Sequence, residues 1–448
     1  MKIGFIAMSG VRAHNEELTK LGLTLPGFVD RNRIVASLPS LGLLTLAGLT
    51  PEAIEVEYTE VEDIEKLDGL PGSYDAVAIS SFSAQIHEAY ELADRFRAEG
   101  TKVFLGGLHV TAMPKEALAH ADSIVIGEGE PVWPEAIRDL RADRLQSVYD
   151  ARNVVFDLAA SPIPRYELLD PDRYNRLTVQ TSRGCPFDCE FCAASIRLCP
   201  TYRVKPVERV INEIQRIKEL WPKPFIEFAD DNTFVNKPHS KRLMRALAKE
   251  GVRWFTETDI SVAEDDDLLS LMRDSGCAQV LIGLESPDRD RLHGLERKSD
   301  WKSKQFDKYL QAIDRIQGHG ITVNGCFVLG LDGSGKESFA EVLDFVVRSQ
   351  LYEVQITVQT AFPGTPLYER LLASDRLIEP EAWKFCTLFD VNFVPDAMTV
   401  TELEQGFRWL AERIYSEEMT QQRRRRFRER MKAKAAMARP ERKAGYGH

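Results

Sequence analysis

No apolar run in the chain approaches the roughly 20 residues of a membrane-spanning helix. The opening "MKIGFIAMSG" is too short for a secretion signal and reads as a first strand. No repeat of solenoid length is present. Cysteine is scarce: there are seven in 448 residues, an odd number, and none precedes Cys185. That usage argues against a disulfide framework. It points to a metal or redox site in a reducing, cytoplasmic setting. Positive charge is short everywhere but the end. From Arg423 to His448 there are 11 Lys and Arg less two Glu, about +9, on a chain of net charge −11, which leaves about −20 on the rest. Such a body repels nucleic acid, so no nucleic-acid partner is expected, and only the tail could attract a polyanion. A working phosphate loop is lacking too. "GLDGSGKES" nearly fits, but Glu337 stands where a hydroxyl should hold the metal, so the stretch reads as a polar turn.

What is present is globular: 44% hydrophobic and 28% charged residues, enough chain for two or three domains. Residues 1–150 alternate short Val- and Ile-rich stretches ("KIGFIAM", "IEVEYT", "AVAIS", "KVFLGG", "SIVIG") with helical patterns such as "AQIHEAYELADRFRAEG". The alternation predicts an α/β, Rossmann-like domain with a parallel sheet covered on both faces. Ligands bind at the carboxyl edge of such a sheet. The loops there supply the candidate binding residues: Ser80, Ser81 and Ser83; Gly106, Gly107 and His109; Gly127, Glu128 and Gly129. Residues 151–170, with two prolines and no clear period, read as a linker.

From Leu177 the alternation resumes with "LTVQTS", "FIEFAD", "WFTETDIS", "AQVLIGLE", "TVNGCFVLG" and "VQITVQT". Six β/α units predict a (β/α)6 partial barrel over 171–378, with its active edge at the strand carboxyl ends. Residues 379–448 form a helical C-terminal region. One long amphipathic helix is expected from Thr401, with Leu403, Phe407, Leu410 and Ile414 on one face, fading after Thr420 into a disordered basic tail.

The first barrel strand runs into "TSRGCPFDCEFCAAS", where Cys185, Cys189 and Cys192 are spaced C-x3-C-x2-C. Gly184, Pro186, Asp188 and Glu190 mark a loop, so chance clustering of core thiols does not account for them. Iron–sulfur clusters are held by thiolates, and a cubane of four irons normally takes four. Three leave one iron open, and an open position separates a reactive metal site from a structural one. The competing reading is a structural zinc site completed by Cys199, which would lack paired C-x2-C knuckles.

The loop, with Phe191 as the aromatic of C-x3-C-x-aromatic-C, resembles the signature of radical S-adenosylmethionine (SAM) enzymes. "GGLHVTAMPKEALAHADSIVIGEGE", "TAFPGTPLYERL", "YELLD", "FADDNTF" and "GLESP" resemble cobalamin-binding members near the hopanoid methylase branch, over about Lys2 to Ile378. The resemblance implies a [4Fe–4S] cluster on the three cysteines, with SAM on the open iron and Phe191 near its adenine. It also implies cobalamin on residues 1–150. The implied chemistry is methylation of an unactivated carbon of a small molecule or lipid, through a 5′-deoxyadenosyl radical and methylcobalamin. It further implies a reducing partner such as flavodoxin or ferredoxin. Two departures stand out. "FADDN" replaces the usual "GGE", which makes Asp230 and Asp231 candidates for the SAM ammonium, with Glu257 and Glu285 at later strand ends as further candidates. None of the eight histidines lies in D-x-H-x-x-G, so no lower His ligand to cobalt is expected.

Two other classes compete: a cobalamin-binding radical SAM cyclase, oxidase or rearrangement enzyme, and a non-catalytic iron–sulfur electron carrier. The three-ligand count argues against the carrier. The absence of a second cysteine triad argues against a methylthiotransferase. The basic tail is compatible with peripheral contact at the inner face of a membrane and equally with a solvated end.

Overall fold

The computed structural model describes residues 1–11, 13–15, 38–193, 199 and 201–437. The first sheet contains β1 (Lys2–Met8), β2 (Glu55–Val61), β3 (Ala76–Ser80), β4 (Lys102–Gly106), β5 (Ser123–Ile126) and β6 (Val148–Asp150). All pair in parallel in the order β2-β1-β3-β4-β5-β6. β6 adds one strand to the five expected. Side chains alternate across the sheet, so Ile3, Phe5 and Ala7 join Leu43, Phe104 and Trp133 in a core on one face. Ile6 and Met8 point the other way, into a core that continues through Tyr166 to the second sheet. Burial on both faces is why these strands read as apolar runs.

The linker is packed rather than loose. Tyr166 is fully buried, and its hydroxyl donates to the Thr178 carbonyl at 2.9 Å. The second sheet begins with β7 (Leu177–Val179). A two-stranded ladder of β8 (Ser182–Arg183) and β9 (Arg203–Val204) flanks the cysteine loop. The sheet continues with β10 (Phe225–Phe228), β11 (Arg253–Thr258), β12 (Cys277–Glu285), β13 (Thr322–Leu329) and β14 (Glu353–Val358). The order β14-β13-β12-β11-β10-β7 is parallel throughout and leaves β7 and β14 as edges, a six-stranded partial barrel as expected. "GLDGSGKES" is the turn between β13 and the helix Glu337–Ser349.

The C-terminal region corrects two expectations. Two helices, Val400–Ile414 and Glu417–Met437, replace the single one. A capping box of Thr399 and Glu402 starts the first, and Leu403, Phe407, Leu410 and Ile414 are all fully buried. The expected disorder after Thr420 is not found through Met437, because the arginines have partners. Arg423 and Arg424 approach Glu353 at 3.8 and 3.3 Å, and Arg430 pairs with Asp314 at 2.7 Å. Phe427 meets Tyr352 edge-on at 5.2 Å. Tyr352 and Glu353 lie at the start of β14 and Asp314 in the helix Tyr309–Gly318 that leads into β13, so this helix packs at the end of the barrel opposite the cysteine loop. Residues 438–448 of the tail lie outside the described residues. No helix among the described residues is long and apolar enough to cross a membrane.

Candidate active site

The cysteine loop is tied to the end of β10. Asp230 accepts the Thr181 and Ser182 amides at 2.7 and 2.9 Å, and the hydroxyls of Thr181 and Thr233. At 4% exposure its carboxylate is consumed inside the protein. It positions the loop, and unlike Asp231 it does not line the cavity of the three cysteines. Asp231 accepts the Gly184 amide at 3.1 Å and is half-buried on the cavity wall. Gly184 has φ +85°, and a Cβ there would sit 2.7 Å from the Thr201 carbonyl, so no other residue fits.

Cys185, Cys189, Cys192 and Phe191 open onto one cavity of about 370 Å³, a small-molecule size. Among the described residues no three His, Cys, Asp or Glu side chains converge as a single ion requires. The three loop thiols spread around this cavity, which Cys326 also lines, suit a multi-iron cluster. Burial pushes Cys185 up to about 11 and Cys189 up to about 12, so they hold their protons until a metal displaces them. Cys199 turns away, 3.3 Å from the Glu128 carboxylate, and burial next to that acid raises it to about 12. It does not line the cavity of the other three, which removes the fourth ligand of the zinc alternative.

Carboxylates and aromatic rings share the cavity wall. Phe187 packs on Trp301 at 4.5 Å. Glu285, in a left-handed conformation at φ +62°, binds Lys302 at 2.7 Å, and Lys302 also donates to the Gly283 carbonyl at 2.8 Å. Glu257 is exposed on the wall of this cavity. Desolvation, then repulsion from Glu227 and Asp231, pushes its carboxyl up to about 8. Lys302 and Cys326 were missed from sequence. Lys302 follows Glu285 by 17 residues on a short helix with no motif. Cys326 reaches the cavity only because β13 registers it between Gly283 and Gln355.

A second cavity of about 360 Å³ lies between the carboxyl edge of the first sheet and the barrel. Ser80, Gly106, Gly107, Gly127, Glu128 and Gly129 form one rim, and Gln180, Arg183 and Asp231 the other. Gly107 has φ +109°, and a Cβ there would lie 3.1 Å from the Ser80 hydroxyl, so its bareness keeps the rim open. Leu43, Leu46, Phe104 and Trp133 give an apolar floor. Bare backbone around an apolar floor fits a flat macrocycle fringed with amides, as cobalamin is.

Ser81, Ser83 and His109 were expected in this wall and do not line it. Ser81 is half-buried and donates to the Phe82 carbonyl at 2.8 Å. His109 is 1% exposed, with Nδ1 3.0 Å from the Ser83 hydroxyl and Nε2 3.4 Å from Glu116. These groups brace the loops from behind. Among the described residues no histidine lines the cavity. Cobalamin bound here is expected to give a Co(II) EPR spectrum without splitting from a protein imidazole. A splitting that disappears in His109→Ala or His14→Ala would overturn this placement.

Charge pairs join the two rims. Glu128 binds Arg183 and Arg203 at 2.5 and 2.8 Å, and Glu130 binds Arg183 at 2.7 Å. Burial opposes ionisation of Glu128, but both arginines hold its carboxyl below the usual range. Arg183 lies two residues before Cys185, so the cysteine loop is fastened to the first domain. Asp231 lines both cavities and marks where they meet.

Comparison with known proteins agrees with this arrangement. The Radical SAM superfamily profile matches residues 179–346 and the B12 binding domain profile residues 29–137. A domain of unknown function, DUF4070, matches residues 365–445. The chain is 27% identical over 381 residues to the bacteriochlorophyllide d C-12(1)-methyltransferase of Chlorobaculum tepidum, covering 84% of this chain and 82% of that one. It is 27% identical over 361 residues to the hopanoid C-2 methylase of Rhodopseudomonas palustris, covering 78% and 67%. The fold matches the radical SAM methyltransferase TsrM of Kitasatospora setae with a TM-score of 0.61 at 15% identity, over 83% of this chain and 76% of that one. The chain thus carries a radical SAM domain behind a B12-binding domain, and over most of its length it is similar to cobalamin-binding radical SAM methyltransferases.

Proposed function

We propose that the protein methylates an unactivated carbon of a polycyclic, largely apolar small molecule or lipid. The observation that carries this reading is the junction at Asp231 of a three-thiol cavity and a glycine-rimmed cavity. When bound, the cluster supplies the electron that splits SAM and cobalamin supplies the methyl group. Cys185, Cys189 and Cys192 would hold the cluster and leave one iron for SAM. Gly106, Gly107, Gly127 and Gly129 would let cobalamin approach the backbone. Phe187, Phe191, Trp301 and Phe362 form apolar walls that exclude water. Asp231, Asp259 and Glu285 face the cavity with Lys302 committed to Glu285, so an anionic substrate end is disfavoured there. The relatives named for bacteriochlorophyllide and hopanoid methylation support a polycyclic substrate. A flavodoxin or ferredoxin would reduce the cluster.

The test is anaerobic reconstitution with iron, sulfide and cobalamin, then incubation with methyl-deuterated SAM and candidate tetrapyrroles and polycyclic lipids. Mass spectrometry should find the labelled methyl in product together with 5′-deoxyadenosine. A product that is oxidised or cyclised without gaining the label would overturn methyl transfer.

A further inference from the structure

The segment between the helices Pro366–Ala373 and Val400–Ile414 has no strand of its own, yet its middle is buried: Trp383 at 1%, Phe389 at 3% and Asp390 at 6% exposure. Its side chains reach across to the first domain. The Trp383 indole N–H donates to the Glu116 carboxylate at 3.0 Å, and its ring meets His109 edge-on at 5.3 Å. His109 and Ser83 brace the loops after β4 and β3, whose ends wall the glycine-rimmed cavity. Further along, Asp390 accepts the His14 and Asn15 amides, both at 2.9 Å, in the loop after β1. Between these anchors Leu388, in a left-handed conformation at φ +70°, accepts the Val358 amide at 2.7 Å and lines the three-thiol cavity. Eight residues therefore touch three strand ends of the first sheet and the last strand of the second.

The placement matters because the second sheet has two edges. On the β7 side the domains are pinned by Glu128 and Glu130 on Arg183 and Arg203. On the β14 side the contacts just described lie opposite that pin. Two pins at opposite edges set an angle, whereas one alone is a hinge.

We propose that residues 383–390, within the region matched by the domain of unknown function, form a positioning strap. The strap holds the two cofactor cavities at the separation methyl transfer needs by closing the β14 side of the domain interface. The proposal rests on the reading that cofactors in both cavities act on one substrate. Neither Trp383 nor Asp390 touches a reacting atom in this scheme. Their effect is on distance.

The test uses full-length holoenzyme with reduced cluster and Co(II) cobalamin, and variants Trp383→Ala, Trp383→Phe and Asp390→Asn. Pulsed EPR reads the dipolar coupling between the two spins. The unaltered protein should show one narrow distance. Trp383→Ala should broaden or lengthen it while cobalamin content, cluster content and SAM cleavage persist, and Trp383→Phe, which keeps the ring and loses the N–H, should fall between. Methylated product per 5′-deoxyadenosine should drop by about a hundredfold in Trp383→Ala, the loss expected when reacting groups are misplaced by about 1 Å. An unchanged distance and unchanged coupling in loaded Trp383→Ala would overturn the strap. If Trp383→Ala does not load, Asp390→Asn decides by the same two readings. Should no substrate ever accept methyl, the functional reading fails while the distance still judges the strap.

Discussion

Cys189→Ala is expected to abolish 5′-deoxyadenosine formation and the visible absorption of the reconstituted cluster. Each of the three thiolates would hold its own iron, and two would not retain the cubane while leaving one iron free for SAM. The same loss is expected for Cys185→Ala and Cys192→Ala. The informative controls are the other thiols. Cys199→Ala should keep the cluster, because Cys199 faces Glu128 and the other cavity. Cys326→Ala should keep it too. It is the more stringent control, since Cys326 shares the three-thiol cavity. Iron and sulfide analysis with SAM cleavage checks both sides, and full cleavage by Cys189→Ala would refute the assignment.

Lys205→Met should destabilise the protein by about 3–5 kcal/mol, the usual consequence of removing one partner from a buried ion pair. Lys205 and Glu213 are 3% and 1% exposed and 2.7 Å apart. Burial already raises the Glu213 pKa, opposed chiefly by Lys205. Without the lysine the acid must stay protonated or carry an uncompensated charge. The sign with pH follows. A raised folded-state pKa means that folding favours the protonated form, so the deficit shrinks as pH falls toward the unfolded carboxylate range and grows as it rises. Adding Glu213→Leu should recover most of the loss, because an apolar pair avoids both desolvation penalties. Denaturation midpoints of the two variants against the unaltered protein measure this. A single variant as stable as the parent, or a double variant no better than the single, would contradict it.

The clustering of Cys185, Cys189 and Cys192 in one loop, the six barrel strands and the helix carrying Leu403, Phe407, Leu410 and Ile414 were legible in the sequence. The candidate acids were legible only as a group. Asp230 and Asp231 are neighbours of one residue type, yet one is consumed by four hydrogen bonds and the other faces both cavities. Their order in the chain carries no sign of which way each points. His109 and Ser83 stand in a binding-edge loop and still face inward, because Glu116 and Trp383 hold them from behind. The tail's arginines read as free charge until Glu353 and Asp314, distant in sequence, came to lie against them.

By itself the sequence determined whatever depends on residues close along the chain. Thiols at spacings of three and two share a loop in any fold, strands declare themselves by short apolar runs, and a helix face shows in spacings of three and four. The tertiary structure alone decided the rest: the meeting of the cavities at Asp231, the Lys302 partner of Glu285, the inward turn of Cys326, and the strap from Trp383 to Asp390. Those relations join groups up to 376 positions apart, as His14 and Asp390 are. They exist only once strand register and domain packing have chosen which faces meet.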